Sequence, residues 1–446
     1  MPKELTRRKG CTVLRPLKIV LIGAASASFG IGALRDAVQC KELCGSTLVL
    51  VDIDDSSLQV MVQLAHRMTS EAGAKLHIQS TTDRKRALPE ADFVITSVAV
   101  RRDELWRIDW DIPKRYGLRQ VLGENGGPGG LSHALRNIPI ILDICRDMEE
   151  LCPNAYLINF TNPESRIIMA VNQYTSIKAV GLCHGVFMGR NRVAQILSRD
   201  PETIDVKAAG VNHLLWLLDI RDEQTGDDLY PLLRSMEANL PDGDIGLYGA
   251  DPLSRKLFRH FGYWPSPSDD HVGEYLPYAW ELTGMEGYDF EGADEFRKQR
   301  AAQIQEWITG QAPLGDLLTK PSGEIAFTMI RAIAENRNEY VMAVNIPNSG
   351  CITNLPPHAI VEVPAIVSGY GIQGLTMGDL PIGIAALCQT QVAVQQLVVK
   401  AAVEGDKQAA LQALLIDPVI DSMSAAEQTL DALLSTHRPY LPQFHG

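Results

Sequence analysis

The chain lacks the marks of several protein classes. Its eight cysteines are scattered with no Cys-x-x-Cys pair, so they read as buried thiols of a reducing compartment rather than as a disulfide framework. No apolar run approaches the roughly 18 residues needed to span a bilayer. The basic start (Lys3, Arg7, Arg8, Lys9, Arg15) has no apolar stretch before the first predicted strand, which argues against a signal peptide. A cytoplasmic protein without a membrane partner is expected. Basic residues are the minority, 41 against 54 acidic ones for a net charge of −13. No nucleic-acid partner is expected either, because phosphate contacts need a basic face. Internal repeats and low-complexity tracts are missing too.

What is present suits a folded chain of 446 residues, 46% of them apolar, with two or three packed layers. Continuous apolar runs at 18–23, 47–51, 91–98 and 155–159 alternate with segments of helical length. That pattern predicts a parallel sheet covered on both faces, a Rossmann-type doubly wound α/β domain over residues 1–190. Residues 191–446 change character, with a short strand at 214–220 and helices at 294–308 and 391–403. They are read as a mixed α+β domain for substrate binding and oligomerisation. The stretch 237–270, rich in Gly, Pro, Asp and aromatics, is expected to be a long ordered excursion.

Gly23-Ala24-Ala25-Ser26-Ala27-Ser28-Phe29 closes the first strand and opens a helix. The dinucleotide fingerprint has a second glycine where Ala25 stands, but the strand, the helix and the acid Asp52 closing the second strand restore the context. Gly23, Ala25, Ser26, Ser28, Phe29 and Asp52 are therefore candidate nucleotide contacts. Asp52 favours NAD, since a carboxylate repels a 2′-phosphate. Asn159-Phe160-Thr161-Asn162-Pro163 follows a strand; Asn159 is assigned to the cofactor and Asn162 to the substrate, a capped turn being the plainer reading.

Cys183 in Gly181-Leu182-Cys183-His184-Gly185 and His213 in Gly210-Val211-Asn212-His213 each follow a short apolar run. A lone thiol or imidazole is usually structural. Two after equivalent runs point to one divalent metal beside the nucleotide, with positions open for substrate oxygens. Arg101, Arg102 and Arg107 follow the third strand, where ligands of such sheets bind. Gly126 to Gly130 offers backbone that can approach a ligand. Asp269-Asp270-His271-Val272-Gly273-Glu274-Tyr275 is dense in titratable groups, and a solvated turn is its plainer reading.

In order along the chain, these motifs resemble glycoside hydrolase family 4, the NAD-dependent glycosidases. The resemblance also takes in Ile112-Pro113-Lys114-Arg115-Tyr116-Gly117, Ala134-Leu135-Arg136-Asn137-Ile138-Pro139 and Asn345 to Pro356. It implies hydride transfer from sugar C3 to bound NAD, removal of the C2 proton, elimination of the aglycone, addition of water and return of the hydride. It further implies Cys183 and His213 as ligands of a divalent metal, Mn2+ being common in the family. Tyr275 is implied as the base at C2, with Asp270 and His184 as further catalytic candidates. Asn212 and His271 join His184 as sugar contacts.

His184 after the cysteine resembles the members acting on unphosphorylated α-glycosides. With the three arginines, it leads to an anionic C6 group, a uronide or sulfoquinovoside, with a neutral α-glucoside or α-galactoside second. A homodimer or homotetramer is expected. A net dehydrogenase of the malate or lactate type and a non-catalytic NAD sensor share the fold and stay open.

Overall fold

Alternate residues of the central strands go to opposite cores. Ile19 and Leu21 of β1 (Lys18–Ile22) pack on one face with Leu48 and Leu50 of β2 (Thr47–Val51), while Val20, Ile22, Val49 and Val51 pack on the other. Burial on both faces is why these strands read as unbroken apolar runs. The computed structural model describes residues 15–26, 29–240 and 251–445. In it, β3 (His77–Thr81), β4 (Phe93–Thr96), β5 (Tyr156–Asn159) and β6 (Lys178–Gly181) complete a parallel set in the order β3-β2-β1-β4-β5-β6. That is the order of a doubly wound nucleotide-binding domain, as expected. Strand β3 gave no apolar signal because it lies at the sheet edge with mostly exposed or half-buried residues.

The sheet does not stop at β6. Antiparallel strands β10 (Glu339–Pro347) and β11 (Ile360–Ser368) extend it, followed by β7 (Ile204–Val211), β8 (Leu214–Asp222) and β9 (Trp264–Ser266). A short β12 (Gly371–Gly374) pairs with β11. Among the described residues, twelve strands share one sheet. A single line of register crosses its middle through Thr96, Asn159, Gly181, Asn345, Glu362 and Gly210. The polar ends of strands from both halves are thereby brought side by side.

The stretch 237–270 is more regular than expected. It contains the helix Pro252–Phe261 and β9, while residues 241–250 lie outside the described ones. Pro252 opens that helix and Gly262 ends it in left-handed conformation, an asymmetry present in the sequence. Leu253, Leu257, Phe258 and Trp264 bury its inner face. The predicted helices 294–308 and 391–403 lie inside Phe290–Thr309 and Ile382–Glu404. The second is long and apolar enough to cross a membrane, yet Val394, Val398, Val399 and Ala402 are buried in the core facing Val20 and Ile22.

Three helices are tied together by one charge. Asp109, on Arg102–Arg115, is wholly buried and accepts from both terminal nitrogens of Arg136, on Gly127–Leu151, and sits 2.7 Å from His437 Nε2 after Met423–Thr436. Burial raises its carboxyl, but Arg136 and His437 outweigh that and hold it below the ordinary carboxylate range. A carboxyl that titrates lower folded than unfolded adds stability present above about pH 4 and lost as pH falls through its folded value. Asp109→Asn should therefore cost about 3–5 kcal/mol at neutral pH, because it strands a buried guanidinium. Urea unfolding should show the gap to wild type narrowing in acid; a pH-independent difference would contradict this reading.

Candidate active site

A cleft of about 1590 Å³ opens where the strands end. One end is the turn after β1. Gly23 has φ +89°, and a Cβ there would collide with the Ser97 carbonyl; at Gly30 it would collide with that of Ala24. Ser26 Oγ accepts from Phe29 N at 3.2 Å where the helix Phe29–Gln39 begins, leaving a helix N-terminus suited to a phosphate. Asp52 accepts from Ala25 N at 3.0 Å and, with Gly23, Ala25, Ser26 and Phe29, lines the cleft. Ser28 lies outside the described residues. Asn159 is not on the wall. It is fully buried, holding Thr96 Oγ1 at 2.9 Å and the Thr161 backbone at 2.9 and 3.1 Å, so its amide shapes the turn that presents Thr161 and Asn162.

At the other end Cys183, His184 and His213 share the wall with Asn162. Burial and the nearby Glu362 carboxylate push the Cys183 thiol far up. His213 is left-handed at φ +64° and buried, and its Nδ1 has no hydrogen-bond partner, the nearest acid being Glu274 Oε2 at 3.9 Å. Burial and the neighbouring His271 ring, 4.5 Å away between centroids, keep its imidazole below the ordinary range. His184 Nε2 is 3.0 Å from Glu324 Oε1, which raises its imidazole. Among the described residues no three His, Cys, Asp or Glu side chains converge as a metal cage. Cys183 and His213 are the soft and borderline donors on this wall, and His213 Nδ1 is left unpaired.

The remaining candidates lie off that wall. Tyr275 is 4% exposed, and its hydroxyl donates to the Asn212 carbonyl at 3.5 Å. Asn212 is itself buried, its amide spent on Glu362 at 3.0 Å, so it is an internal strut rather than a sugar contact. Asp270 and His271 line a second cavity of about 480 Å³. Burial opposes charge on both, yet their 2.8 Å contact outweighs it, lifting His271 to about 9 and holding Asp270 well below the usual range.

The three arginines do not converge. Arg101 turns to Glu104 and to Tyr440, and Arg107 to Asp294 at 3.6 Å, while Arg102 alone lines the cleft. Arg102 is paired with Glu124 at 3.0 Å and Asp103 at 3.2 Å. All three sit among carboxylates on or beside their own helix, which satisfy them locally. Nor is the Gly126 to Gly130 backbone freed for a ligand. A Cβ on Gly126, Gly129 or Gly130 would strike the protein's own backbone at Glu274, Gly123 or Asn125.

The pattern described as Family 4 glycosyl hydrolase matches residues 18–199, and its C-terminal domain matches 208–420. An α-glucosidase of Erwinia rhapontici is 35% identical over 95% of this chain and 98% of its own length. The chain belongs to glycoside hydrolase family 4. An α-galacturonidase of Bacillus subtilis is 30% identical over 95% of the chain and 98% of the relative. A 6-phospho-α-glucosidase from gut microorganisms, solved with NAD and Mn2+, superposes with TM-score 0.83 at 23% identity, covering 96% of this chain and all of that one.

Two acids of this family 4 enzyme take places that the sequence did not assign them. Glu274 Oε1 accepts from the backbone N–H of Glu124, Asn125 and Gly126 at 2.5, 2.8 and 3.2 Å. Glu362 is a lone acid inside the apolar run of β11, a break in that run visible in the sequence itself. Gly126→Ala should force the Glu274–Tyr275 segment aside and cost about 1–3 kcal/mol. Denaturant unfolding measures it; a wild-type midpoint with unaltered activity would mean the segment yields freely.

Proposed function

We propose that this chain hydrolyses an unphosphorylated, neutral α-glycoside, a glucoside or galactoside, using NAD catalytically together with a divalent ion. The observation that carries the reading is one cleft bearing a nucleotide turn at one end and the Cys183–His213 wall at the other. Gly23, Ser26, Phe29 and Asp52 would hold the NAD, which supplies reversible hydride transfer at sugar C3. Cys183 and His213 would hold the ion, manganese in the similar gut-microorganism structure, which acts as a Lewis acid toward the sugar oxygens.

The residues themselves do the proton work. Tyr275 is the candidate base at C2 and would act as its phenolate; burial and Glu274 push its hydroxyl well up, and the Arg166 guanidinium is the group that favours the charged form. The Asp270–His271 pair retains a proton at neutral pH, and its ring lies 4.5 Å from that of His213 on the cleft wall, which makes it the candidate acid for the leaving oxygen. Asn162 and His184 orient the hydroxyls on the cleft side. Removal of the C2 proton and protonation of the leaving group together break the glycosidic bond by elimination.

Neutral substrate is preferred because Arg101, Arg102 and Arg107 are each already engaged by a carboxylate. A C6 carboxylate meeting Arg102 is the second reading, supported by its place on the cleft and by the α-galacturonidase relative.

Aryl α-glucoside, galactoside, glucuronide, galacturonide and sulfoquinovoside, offered with and without NAD, test both readings. The neutral glycosides should be the better substrates, with NAD required but no NADH accumulating. A charged glycoside that outpaces them, and loses that advantage in Arg102→Ala, would reverse the order. Substrate deuterated at C2 should lose its label to water during turnover. Tyr275→Phe should lower kcat by about 10²- to 10⁴-fold, the range for a positioned base, with NAD affinity kept. Label retained at C2 would overturn the elimination route. Chelator should abolish turnover and Mn2+ restore it; full activity in chelator would reassign Cys183 and His213 to orienting the sugar.

A further inference from the structure

The candidate groups meet at Asn212. Its side-chain amide donates to Glu362 Oε2 at 3.0 Å. Its carbonyl accepts from the Tyr275 hydroxyl, and its successor in the chain is His213. Glu362 reaches this point from another part of the sequence. It lies in β11, wholly buried, opposite Gly210 of β7 and Asn345 of β10.

Its second oxygen, Oε1, has no hydrogen-bond partner and lies 3.6 Å from where a Cβ on Gly185 would stand; Cys183 Sγ is 3.8 Å from that same point. One carboxylate thus bears on both the loop after β6 and the turn after β7. Its neighbours Val361 and Val363 are buried and apolar. An acid among them is costly unless it is hydrogen-bonded, so packing alone does not account for it.

We infer that Glu362 is a positioning residue: by anchoring Asn212 it sets Cys183 and His213 at the separation that binds one divalent ion. The inference rests on the reading of Cys183 and His213 as the metal-binding pair. Partners behind metal ligands fix ligand orientation, and their loss typically weakens metal binding by about 10- to 100-fold.

The test is a Mn2+ titration of the purified protein, free ion being followed by electron paramagnetic resonance and NAD affinity measured separately by fluorescence. Glu362→Leu removes the acceptor at similar size, whereas Glu362→Gln keeps an acceptor oxygen for Asn212. Glu362→Leu should weaken Mn2+ binding about 10- to 100-fold and leave NAD affinity unchanged, and Glu362→Gln should recover most of the loss. Wild-type Mn2+ affinity in Glu362→Leu overturns the inference, as does a Gln variant as weak as the Leu one. Should Glu362→Leu fail to fold, Asn212→Ala must show the same split between Mn2+ and NAD, and equal affinity there overturns it too. A wild-type protein that binds no Mn2+ at all defeats the metal reading itself, a result distinct from either.

Discussion

In a free-standing nucleotide domain β6 would be an edge strand, with unpaired N–H and C=O groups along one side. Here β10 covers that edge antiparallel, with Asn345 opposite Gly181, and β11 and β7 follow in turn. The loop after β6 and the turn after β7 are separated in the sequence by a helix, Gly185–Ile196, and by β7 itself. Both reach the wall of one cleft although β10 and β11, which come much later in the chain, lie between those strands. A slip of one residue in this register would reverse the face of every side chain on β10 and β11. Glu362 would then point away from Asn212, and the hydrogen bond between them would be lost.

That arrangement puts an unusual amount of charge out of water. Glu164, Arg166, Glu274 and Glu362 are each at most 2% exposed, and each has at least one polar atom without a hydrogen-bond partner. Buried groups of this kind are expensive and collect at functional sites. Glu274 offsets part of the cost with three backbone N–H donors. The result is a polar floor held by β11, by the helix Glu164–Tyr174 and by the end of the helix Asp269–Gly273, which suits chemistry that needs preset electrostatics.

Local charge pairing accounts for the substrate reading. The helix Arg102–Arg115 carries Asp103 and Glu104 in its first turn, and the helix Phe290–Thr309 adds Asp294. Arg297 of the latter also bonds Asp103. An arginine already paired at 3.0 Å with buried Glu124, as Arg102 is, must exchange that partner before it can bind a ligand anion.

Much of this was legible in order along the chain. The apolar runs of β1, β2, β5 and β6, Gly23, Asp52, and the short motifs around Cys183 and His213 each carry their meaning locally. Strand period, glycine conformation and strand-end chemistry are short-range properties, so the sequence by itself determined the nucleotide-binding half and the residues at its carboxyl edge. Which polar residues face the cleft was decided only by tertiary structure. Asn159 looked like a ligand contact but is consumed in holding Thr161; Arg101 and Arg107 looked like an anion site but meet acids nearer to hand. Asn212 and Glu362 are 150 residues apart and touch through one side-chain hydrogen bond. No local pattern encodes that contact, because it depends on strand order and on the register of pairings made far along the chain.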